Sequence, residues 1–385
     1  MLDDPLRYHG DLAAHDADLD FAVNVHGTTP QWLQDSLAAS LGELAAYPSA
    51  QLDAEVRAAI AAGHNRTADE VLLLHGVAEG FSLLPHLGLP ATIVQPQFTE
   101  PEAAFRAAGV EVDSLVLPPP YTLTPTLADV PETASSPHSR QLESRMVIVG
   151  NPTNPTGVAH SADELRALAS RCAVLVVDEA FMDVADAETI QRCSLANREV
   201  GGGESVHARG DNNIPDNVIV FRSMTKTWAI AGLRCGYALG TPALLAQLAR
   251  LRPHWPLGTL QLRAMAAIAR REAELLPQIR SEIRQQREVM SQLLRAAGWQ
   301  VLGSEAPFVL ARPKGDLNAH DGQGAVEVDV VKHERVRQGL AERGVAVRRC
   351  DTFVGLDGSW WRLAVRDETS VRRLIAEVAD LLSQN

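Results

Sequence analysis

Short apolar runs alternate with stretches of helical periodicity over the first two thirds of the chain. The runs predict six buried strands, at residues 71–74, 91–95, 114–117, 146–150, 173–178 and 218–222. Unbroken Val, Ile and Leu are typical of strands that helices cover on both faces. Ser161 and Glu164 match the N-cap and capping-box pair of a helix predicted over residues 161–172. The alternation indicates an α/β fold with a mostly parallel, doubly wound sheet.

From about residue 241 the pattern becomes helical and then mixed. Residues 261–297 predict a long helical stretch that Pro277 kinks or breaks. Apolar runs that predict strands follow, and residues 371–382 predict a closing amphipathic helix. We therefore expect three units along the chain: an N-terminal segment over 1–30 that packs on the small domain, a large domain over 31–250, and a smaller α+β domain over 251–385.

Two long segments carry no periodicity. Residues 131–144 and 197–217 are polar and rich in Gly, Ser and Asn, which predicts loops. No apolar run approaches the roughly 20 residues that a membrane-spanning helix needs. The N-terminus is acidic and lacks the pattern of a signal peptide, so we expect a cytoplasmic protein.

Composition and charge argue against several classes of function. Of the 385 residues 46% are hydrophobic, and 35 basic against 48 acidic residues give a net charge of −13. An acidic protein is a poor partner for nucleic acid or an anionic membrane, since both bind through Lys and Arg. The four cysteines show no metal-binding spacing, and neither His-Glu-x-x-His nor Gly-x-Ser-x-Gly occurs. We expect no metal site and no hydrolase of either kind.

Two motifs follow predicted strands and carry specific chemistry. Lys226 comes shortly after the strand at 218–222, among hydroxyl-bearing and small residues. Partial desolvation of an amine at such a place lowers its pKa and frees a nucleophile. The sequence NPTNPTG follows the strand at 146–150, and its two Asn-Pro pairs restrict the backbone around Asn154.

Two weaker signals lie at other strand ends. Asp178 ends a buried strand, where a carboxylate needs a positive partner, whereas we expect Glu179 to cap a helix or face solvent. A helix cap alone explains these carboxylates equally well. The turn Gly76-Val77-Ala78 begins a helix whose N-terminus suits a phosphate. The same residues are also typical of an ordinary strand-to-helix turn that binds no ligand.

The order of these motifs resembles the fold-type I pyridoxal-phosphate enzymes of the class I/II aminotransferase superfamily. The resemblance covers nearly the whole chain, and its most specific parts are NPTNPTG and SMTKTWAIAGLRCGY at 223–237. Within the superfamily the chain is similar to the branch that holds histidinol-phosphate aminotransferase and threonine-phosphate decarboxylase. Residues 46–61, 347–358 and 361–368 carry that closer likeness.

The resemblance implies a role in cofactor binding for each motif. Lys226 would bond to the cofactor's aldehyde and move protons at the substrate Cα, and Asp178 would keep the pyridine nitrogen protonated. Asn154 would donate to the ring hydroxyl oxygen, and Phe98 would stack on the ring. The phosphate would lie on the turn that contains Gly76, with further contacts from Val77, Ala78, Ser223, Thr225 and Arg234.

The resemblance also implies a substrate site and a partner. Arg362 would bind the substrate α-carboxylate in a two-pronged pair, next to Asn154, and Arg348 would lie near a substrate phosphate. Tyr47 would reach the cofactor phosphate of a second subunit, which implies a homodimer with composite sites. Phe181 lies at the cofactor where histidinol-phosphate aminotransferases usually carry a tyrosine, and the decarboxylases tolerate phenylalanine better.

Three hypotheses therefore stand. The first is a pyridoxal-phosphate-dependent aminotransferase that acts on an amino acid, including a phosphorylated one. The second is a decarboxylase of threonine phosphate or a relative, because the same cofactor serves both reactions and the substrate's orientation decides between them. The third is a cofactor-binding regulator, which the acidic charge and the lack of a predicted DNA-binding domain disfavour.

Overall fold

The structure is a computed structural model that describes Leu6, Tyr8 and residues 10–124, 142–185, 187, 189–190, 215–314 and 330–384. The two predicted loops, at 131–144 and 197–217, lie outside these residues except for 142–144 and 215–217. None of the helices in the described ranges is both long and apolar enough to cross a membrane.

Strands in the described ranges form three sheets. In chain order they are β1 (Leu19–Asp20), β2 (Val71–Leu74), β3 (Ala91–Gln95), β4 (Val112–Val116), β5 (Met146–Gly150), β6 (Val174–Asp178), β7 (Val218–Ser223), β8 (Gly236–Leu239), β9 (Gln300–Val301), β10 (Phe308–Arg312), β11 (Val345–Ala346), β12 (Arg348–Arg349) and β13 (Trp361–Ala364).

Helices connect and cover these strands. The α-helices of the described ranges are α1 (Gly10–Ala14), α2 (Gln31–Ala39), α3 (Ala50–Gly63), α4 (Val77–Leu83), α5 (Glu100–Ala107), α6 (Ala162–Ala169), α7 (Pro242–Ala249), α8 (Thr259–Ala269), α9 (Glu272–Ala296), α10 (Val330–Glu342) and α11 (Glu368–Ser383).

The largest sheet has seven strands in the order β2-β8-β7-β6-β5-β3-β4. Neighbours from β7 to β4 pair in parallel, and β8 runs antiparallel to both β2 and β7. The six predicted strands and the mostly parallel α/β fold are confirmed. The prediction that residues 114–117 are buried was wrong for most of them, because β4 is the edge strand and its side chains are largely exposed.

A second sheet, β12-β13-β10-β9, is antiparallel, and β1 pairs in parallel with β11. Leu19 and Phe21 pack in one hydrophobic core with Met290 and other residues of the C-terminal part. The domain boundaries at 30 and 250 stay predictions. Leu262 and Ile268 of α8, beyond the second boundary, pack in a core that includes residues of the seven-stranded sheet.

The helices confirm one local prediction and correct another. Ser161 and Glu164 form the predicted capping box at the start of α6. The long helical stretch does not break at Pro277, since α9 continues through it. The break lies at residues 270–271, between α8 and α9. Helix α10 was not predicted from the sequence.

Candidate active site

The carboxyl ends of β6 and β7 open into a cavity of about 460 Å³. Parallel strands of an open α/β sheet present their carboxyl ends to one edge, where ligands bind. The cavity contains twelve of the predicted site residues: Val77, Ala78, Phe98, Asn154, Asp178, Phe181, Ser223, Thr225, Lys226, Arg234, Arg348 and Arg362. Residues from six separate parts of the chain thus meet in one space.

Lys226 lines this cavity just beyond the end of β7. Its surroundings disfavour a charged ammonium, because it is largely removed from water and lies near the guanidinium groups of Arg362 and Arg234. These effects lower the pKa of Lys226 to about 8 from an ordinary value of 10.5, against a smaller opposite influence from Asp11. The lowered pKa increases the unprotonated fraction of the amine near neutral pH, and the unprotonated amine is the form that attacks a carbonyl.

Asp178 lies at the end of β6, buried, and its carboxylate lines the cavity. Its Oδ1 accepts a hydrogen bond from the backbone N–H of Ala180 at 3.1 Å. Burial raises the pKa of Asp178 to about 7, partly opposed by that hydrogen bond, with a further rise caused by Glu179. Among the described residues no basic side chain pairs with this carboxylate, so a cationic ligand would stabilise its charged form.

Glu179 does not cap a helix or face solvent, so that expectation was wrong. It is fully buried, and Arg222 of β7 donates to it at 3.0 Å while Thr189 donates at 2.7 Å. Arg222 also forms an ion pair with Asp183. The paired cation explains why a carboxylate is tolerated at this depth, behind the strand ends that face the cavity.

The turn after β2 forms a site with room for a phosphate. Gly76 precedes α4 with φ of 69°, and a Cβ there would lie 2.9 Å from the Arg234 guanidinium. L side chains rarely adopt this positive φ, so the backbone favours glycine at residue 76. Val77 and Ala78 begin the helix, where backbone N–H groups lack intrahelical partners. Gly76 itself lies behind the cavity wall.

Two hydroxyl groups face the same turn from the end of β7. The oxygens of Ser223 and Thr225 are 2.7 Å apart and hydrogen-bonded to each other. Arg234 completes this group from a left-handed backbone position with φ of 62°. Hydroxyls, helix N–H groups and one guanidinium are the donors that phosphate oxygens accept.

The aromatic residues lie on the walls between these groups. Phe98 packs near Phe81, with ring centroids 6.2 Å apart, and Phe181 meets Phe308 edge-to-face at 5.0 Å. Phe181 is buried and contributes no hydroxyl to the cavity. Together these rings give the cavity an apolar section that suits a flat aromatic ligand.

The two substrate arginines lie side by side on neighbouring strands of the small sheet, since Arg348 of β12 is directly opposite Arg362 of β13. Arg362 donates to Oδ1 of Asn154 at 2.8 Å and to the carbonyl of Ala22 at 2.6 Å. Arg348 donates to the carbonyl of Tyr8 at 2.9 Å and lies between aromatic rings.

Neither guanidinium has an acidic ion-pair partner among the described residues. Burial, together with the neighbouring Arg348, lowers the pKa of Arg362 to about 9. The Nε atom of Arg362 is buried without a hydrogen-bond partner in the described part of the chain. Two buried cations without carboxylates indicate a binding site for an anionic ligand.

Tyr47 is the predicted residue that lies apart from this group. It is 76% exposed and stacks on Trp255, with ring centroids 4.4 Å apart. Sequence reasoning also missed the residues of the N-terminal segment that line the cavity, which are Gly10, Asp11, Ala22, Val23 and Asn24. The sequence signals were the prediction that this segment packs on the small domain and, for Asn24, the resemblance of residues 24–30 to a substrate-covering segment.

The cavity fits pyridoxal phosphate. Its volume lies within the usual range for small-molecule sites, roughly 300–1,000 Å³. The buried carboxylate of Asp178, which has no basic side-chain partner among the described residues, suits a protonated ring nitrogen, and Val77 and Ala78 at the start of α4 line the cavity where a phosphate would lie. The amine of Lys226 lines the same space. Each chemical group of the cofactor therefore has a complementary group in this chain.

Comparisons with known proteins agree with this geometry. The family model for aminotransferase class I and II matches residues 17–378. A histidinol-phosphate aminotransferase of Mycobacterium tuberculosis is 44% identical over 384 residues, which covers 97% of this chain and 90% of that relative.

Two solved structures share the fold at low identity. The histidinol-phosphate aminotransferase from Sinorhizobium meliloti in complex with pyridoxal-5'-phosphate has a TM-score of 0.76 and 16% identity, covering 98% of this chain and 95% of that chain. L-threonine-O-3-phosphate decarboxylase from Porphyromonas gingivalis has a TM-score of 0.71 and 19% identity, covering 94% and 99%. The same architecture thus serves both reactions that the sequence left open.

Proposed function

Because the chain belongs to the class I and II aminotransferase family and is a pyridoxal-phosphate-dependent aminotransferase, we propose that its substrate is a phosphorylated amine such as histidinol phosphate. The observation that carries this proposal is the pair of buried arginines, Arg348 and Arg362, without acidic partners in the described ranges. A phosphate monoester carries about −1.5 to −2 charges at neutral pH, which two guanidiniums balance. Glutamate is the second amino compound that we propose for the exchange, because its two carboxylates suit the same two arginines.

Our assignment of the cofactor-binding residues follows the geometry. When bound, pyridoxal phosphate supplies an electron sink for negative charge at the substrate Cα. Asp178 keeps the ring nitrogen protonated, and Asn154 donates to the ring oxygen. Phe98 and Phe181 enclose the ring. The phosphate is bound by the backbone of Val77 and Ala78 after Gly76, and by Ser223, Thr225 and Arg234.

Lys226 is the catalytic residue of this proposal. Its amine would hold the cofactor's aldehyde in the resting enzyme and would be free for proton transfer once the substrate amine is bound. The free amine then removes the proton from the substrate Cα and returns it during the exchange. Burial, and then the cationic groups around Lys226, keep its pKa low, which favours the unprotonated amine that accepts this proton.

Amino transfer from histidinol phosphate to the bound cofactor tests this assignment. We expect a single turnover to convert the cofactor to its amine form, detected by loss of its visible absorbance, and 2-oxoglutarate to restore it. Failure of both histidinol phosphate and glutamate to convert the cofactor would contradict the proposal. O-phosphothreonine is the comparison substrate.

Phe181 favours a second candidate, decarboxylation of threonine phosphate. This side chain meets Phe308 edge-to-face and places no hydroxyl at the cavity. The two arginines also suit one carboxylate and one phosphate of a single substrate. Release of carbon dioxide from phosphothreonine, without conversion of the cofactor by glutamate, would favour this candidate over amino transfer.

We also propose that the enzyme is a homodimer with composite sites. Tyr47 and its stacking partner Trp255 are both exposed, and Leu41, Leu44 and Leu251 are each more than half exposed on the same single chain. Exposed apolar side chains of this number support contact with a second subunit. Sedimentation should give twice the mass of 41.6 kDa.

The three described cysteines are free and buried, which supports a cytoplasmic location.

A further inference from the structure

The N-terminal arm, defined here as residues 10–24, forms one wall of the cavity. Its position is fixed by the small sheet, since Arg362 donates to the carbonyl of Ala22 at 2.6 Å. Arg366 donates to the carbonyls of Asp20 at 2.7 Å and Val23 at 2.8 Å. Strand β1, which belongs to the arm, also pairs in parallel with β11. The arm is therefore a fixed part of the substrate site, and its side chains are available to recognise the substrate.

Asn24 presents an unused acceptor on this wall. The residue is 5% exposed and lines the cavity, and its Oδ1 is buried. No donor from the described part of the chain reaches that oxygen. Buried polar groups of native proteins are paired in the great majority of cases, so an unpaired oxygen at a cavity wall indicates a donor on the ligand.

Asp11 brings a carboxylate to the same cavity. It follows Gly10, where an added Cβ would lie 2.4 Å from the carbonyl oxygen of Ala22, so the arm approaches itself closely only because residue 10 lacks a side chain. Asp11 lines the cavity together with Lys226, Arg348 and Arg362. Asp11 is exposed, and among the described residues no hydrogen bond or ion pair engages its carboxylate, which suits an acceptor for a ligand.

We propose that Asp11 and Asn24 form a subsite that accepts an N–H donor from the substrate side chain. This subsite rests on the proposed function and specifies which side chain of the phosphorylated substrate the enzyme recognises. The arginines take the phosphate, and the arm selects a substrate that also carries a nitrogen heterocycle such as imidazole. An imidazolium N–H donating to the Asp11 carboxylate is a charge-assisted hydrogen bond, which is stronger than a neutral one. Phosphothreonine has no ring to fill this subsite.

The test compares two phosphorylated amines with aromatic rings, one a five-membered imidazole that carries nitrogen and the other a six-membered phenyl ring that does not. L-histidinol phosphate has N–H donors, and L-phenylalaninol phosphate has a ring without them. We expect the wild type to prefer histidinol phosphate by about 100-fold in kcat/KM, since a site built to bond a donor rejects analogues that lack it. Asp11→Ala should lower kcat/KM for histidinol phosphate by at least about tenfold, mainly through KM. It should leave phenylalaninol phosphate within about twofold.

Asp16→Asn is the matched control, because Asp16 is an exposed carboxylate of the same arm that does not line the cavity. Asn24→Leu should reproduce the selective loss of Asp11→Ala. An equal change for both substrates in Asp11→Ala would mean that the carboxylate acts on the arginines, and it would overturn the inference while the proposed function stands. A wild type that converts its cofactor with neither phosphorylated amine would overturn both.

Discussion

The two ends of the cavity are built differently. At one end, Lys226 and Asp178 lie at the termini of adjacent parallel strands, β7 and β6, of the large sheet. At the other end, Arg348 and Arg362 come from the small sheet and are held by the carbonyls of Tyr8 and Ala22, each 340 residues away in the sequence. The reactive groups thus depend on local strand geometry, whereas the anion-binding groups depend on contacts that the N-terminal segment makes across the fold.

The largest change is expected at the strand-end side of this comparison, in Asp178→Asn. An amide carries no charge to keep the cofactor's ring nitrogen protonated, so we expect kcat to fall by about 10³-fold, as for the loss of a preorganised electrostatic contact. KM for glutamate should change little, because the arginines are untouched. Steady-state kinetics with glutamate and 2-oxoglutarate measures both. A fall in kcat of less than about threefold would contradict the role of Asp178.

The same substitution should stabilise the protein when it is free of cofactor. The pKa of Asp178 is raised by burial from 3.8 to about 7, so the folded state favours the protonated form. The stability that this proton contributes is complete below about pH 4 and is lost as pH rises towards 7, reaching a loss of about 4 kcal/mol. Asp178→Asn removes that loss, and its gain in melting temperature should be larger at about pH 8 than at about pH 5.

Glu179→Gln is the control for this stability effect. Glu179 is equally buried and adjacent in sequence, but it is paired with Arg222 and does not line the cavity. Its neutralisation removes one partner of a buried cation, so we expect a loss of about 2 kcal/mol instead of a gain. Thermal unfolding of both cofactor-free variants compares the two carboxylates directly. Destabilisation of both to the same extent would show that Asp178 is also a structural residue.

At the anion-binding side, Arg362→Ala should raise KM for glutamate by about 100-fold with a smaller effect on kcat. Arg366→Ala is the matched variant, because Arg366 holds the arm through Asp20 and Val23 but does not line the cavity. We expect its KM to rise by about threefold at most. Equal effects in the two variants would mean that Arg362 acts by holding the arm and does not itself bind the substrate.

The smallest effect is expected in Gly10→Ala, which tests whether the arm must approach Ala22 closely. The added methyl would overlap the carbonyl oxygen of Ala22, so α1 must shift, at a cost of about 1–3 kcal/mol locally. We expect KM for the phosphorylated amine to rise about threefold with kcat unchanged. Faster amide hydrogen exchange in α1, with normal exchange in β6 and β7, would place the change in the arm. Unaltered exchange in α1 would refute the close contact.

The contrast between the two ends also explains what the sequence could predict. The strands before Asn154, Asp178 and Lys226 are unbroken apolar runs, so both the elements and the placement of polar residues at their ends follow from the pattern. The burial of β4 was predicted wrongly, since an apolar run does not reveal the strand's place in the sheet order. Pro277 was predicted to kink or break the helix, and the break was wrong because α9 continues through this proline, whereas the helices separate between α8 and α9.

The side chains of the arm could not be assigned from the sequence. Asp11 and Asn24 lie in a segment without periodicity, and the pairing of β1 with β11 and the hydrogen bonds from Arg362 and Arg366 bring them to the cavity. Glu179 was misassigned for a related reason. Its partner Arg222 is 43 residues later on the neighbouring strand, and strand order decides that contact. Contacts across strands and between distant segments were therefore the least predictable part of the site.

The central claim is that the amine of Lys226 carries the cofactor, and one measurement tests it most directly. The chain has three lysines, Lys226, Lys314 and Lys332, so the alternatives are few. Borohydride reduction of the cofactor-loaded protein, followed by digestion and mass spectrometry, fixes the bond between amine and aldehyde and identifies the modified residue. We predict one adduct, on the peptide that contains Lys226, and none in Lys226→Ala. An adduct confined to Lys314, Lys332 or the N-terminus, or equal labelling of the Lys226→Ala variant, would contradict the account.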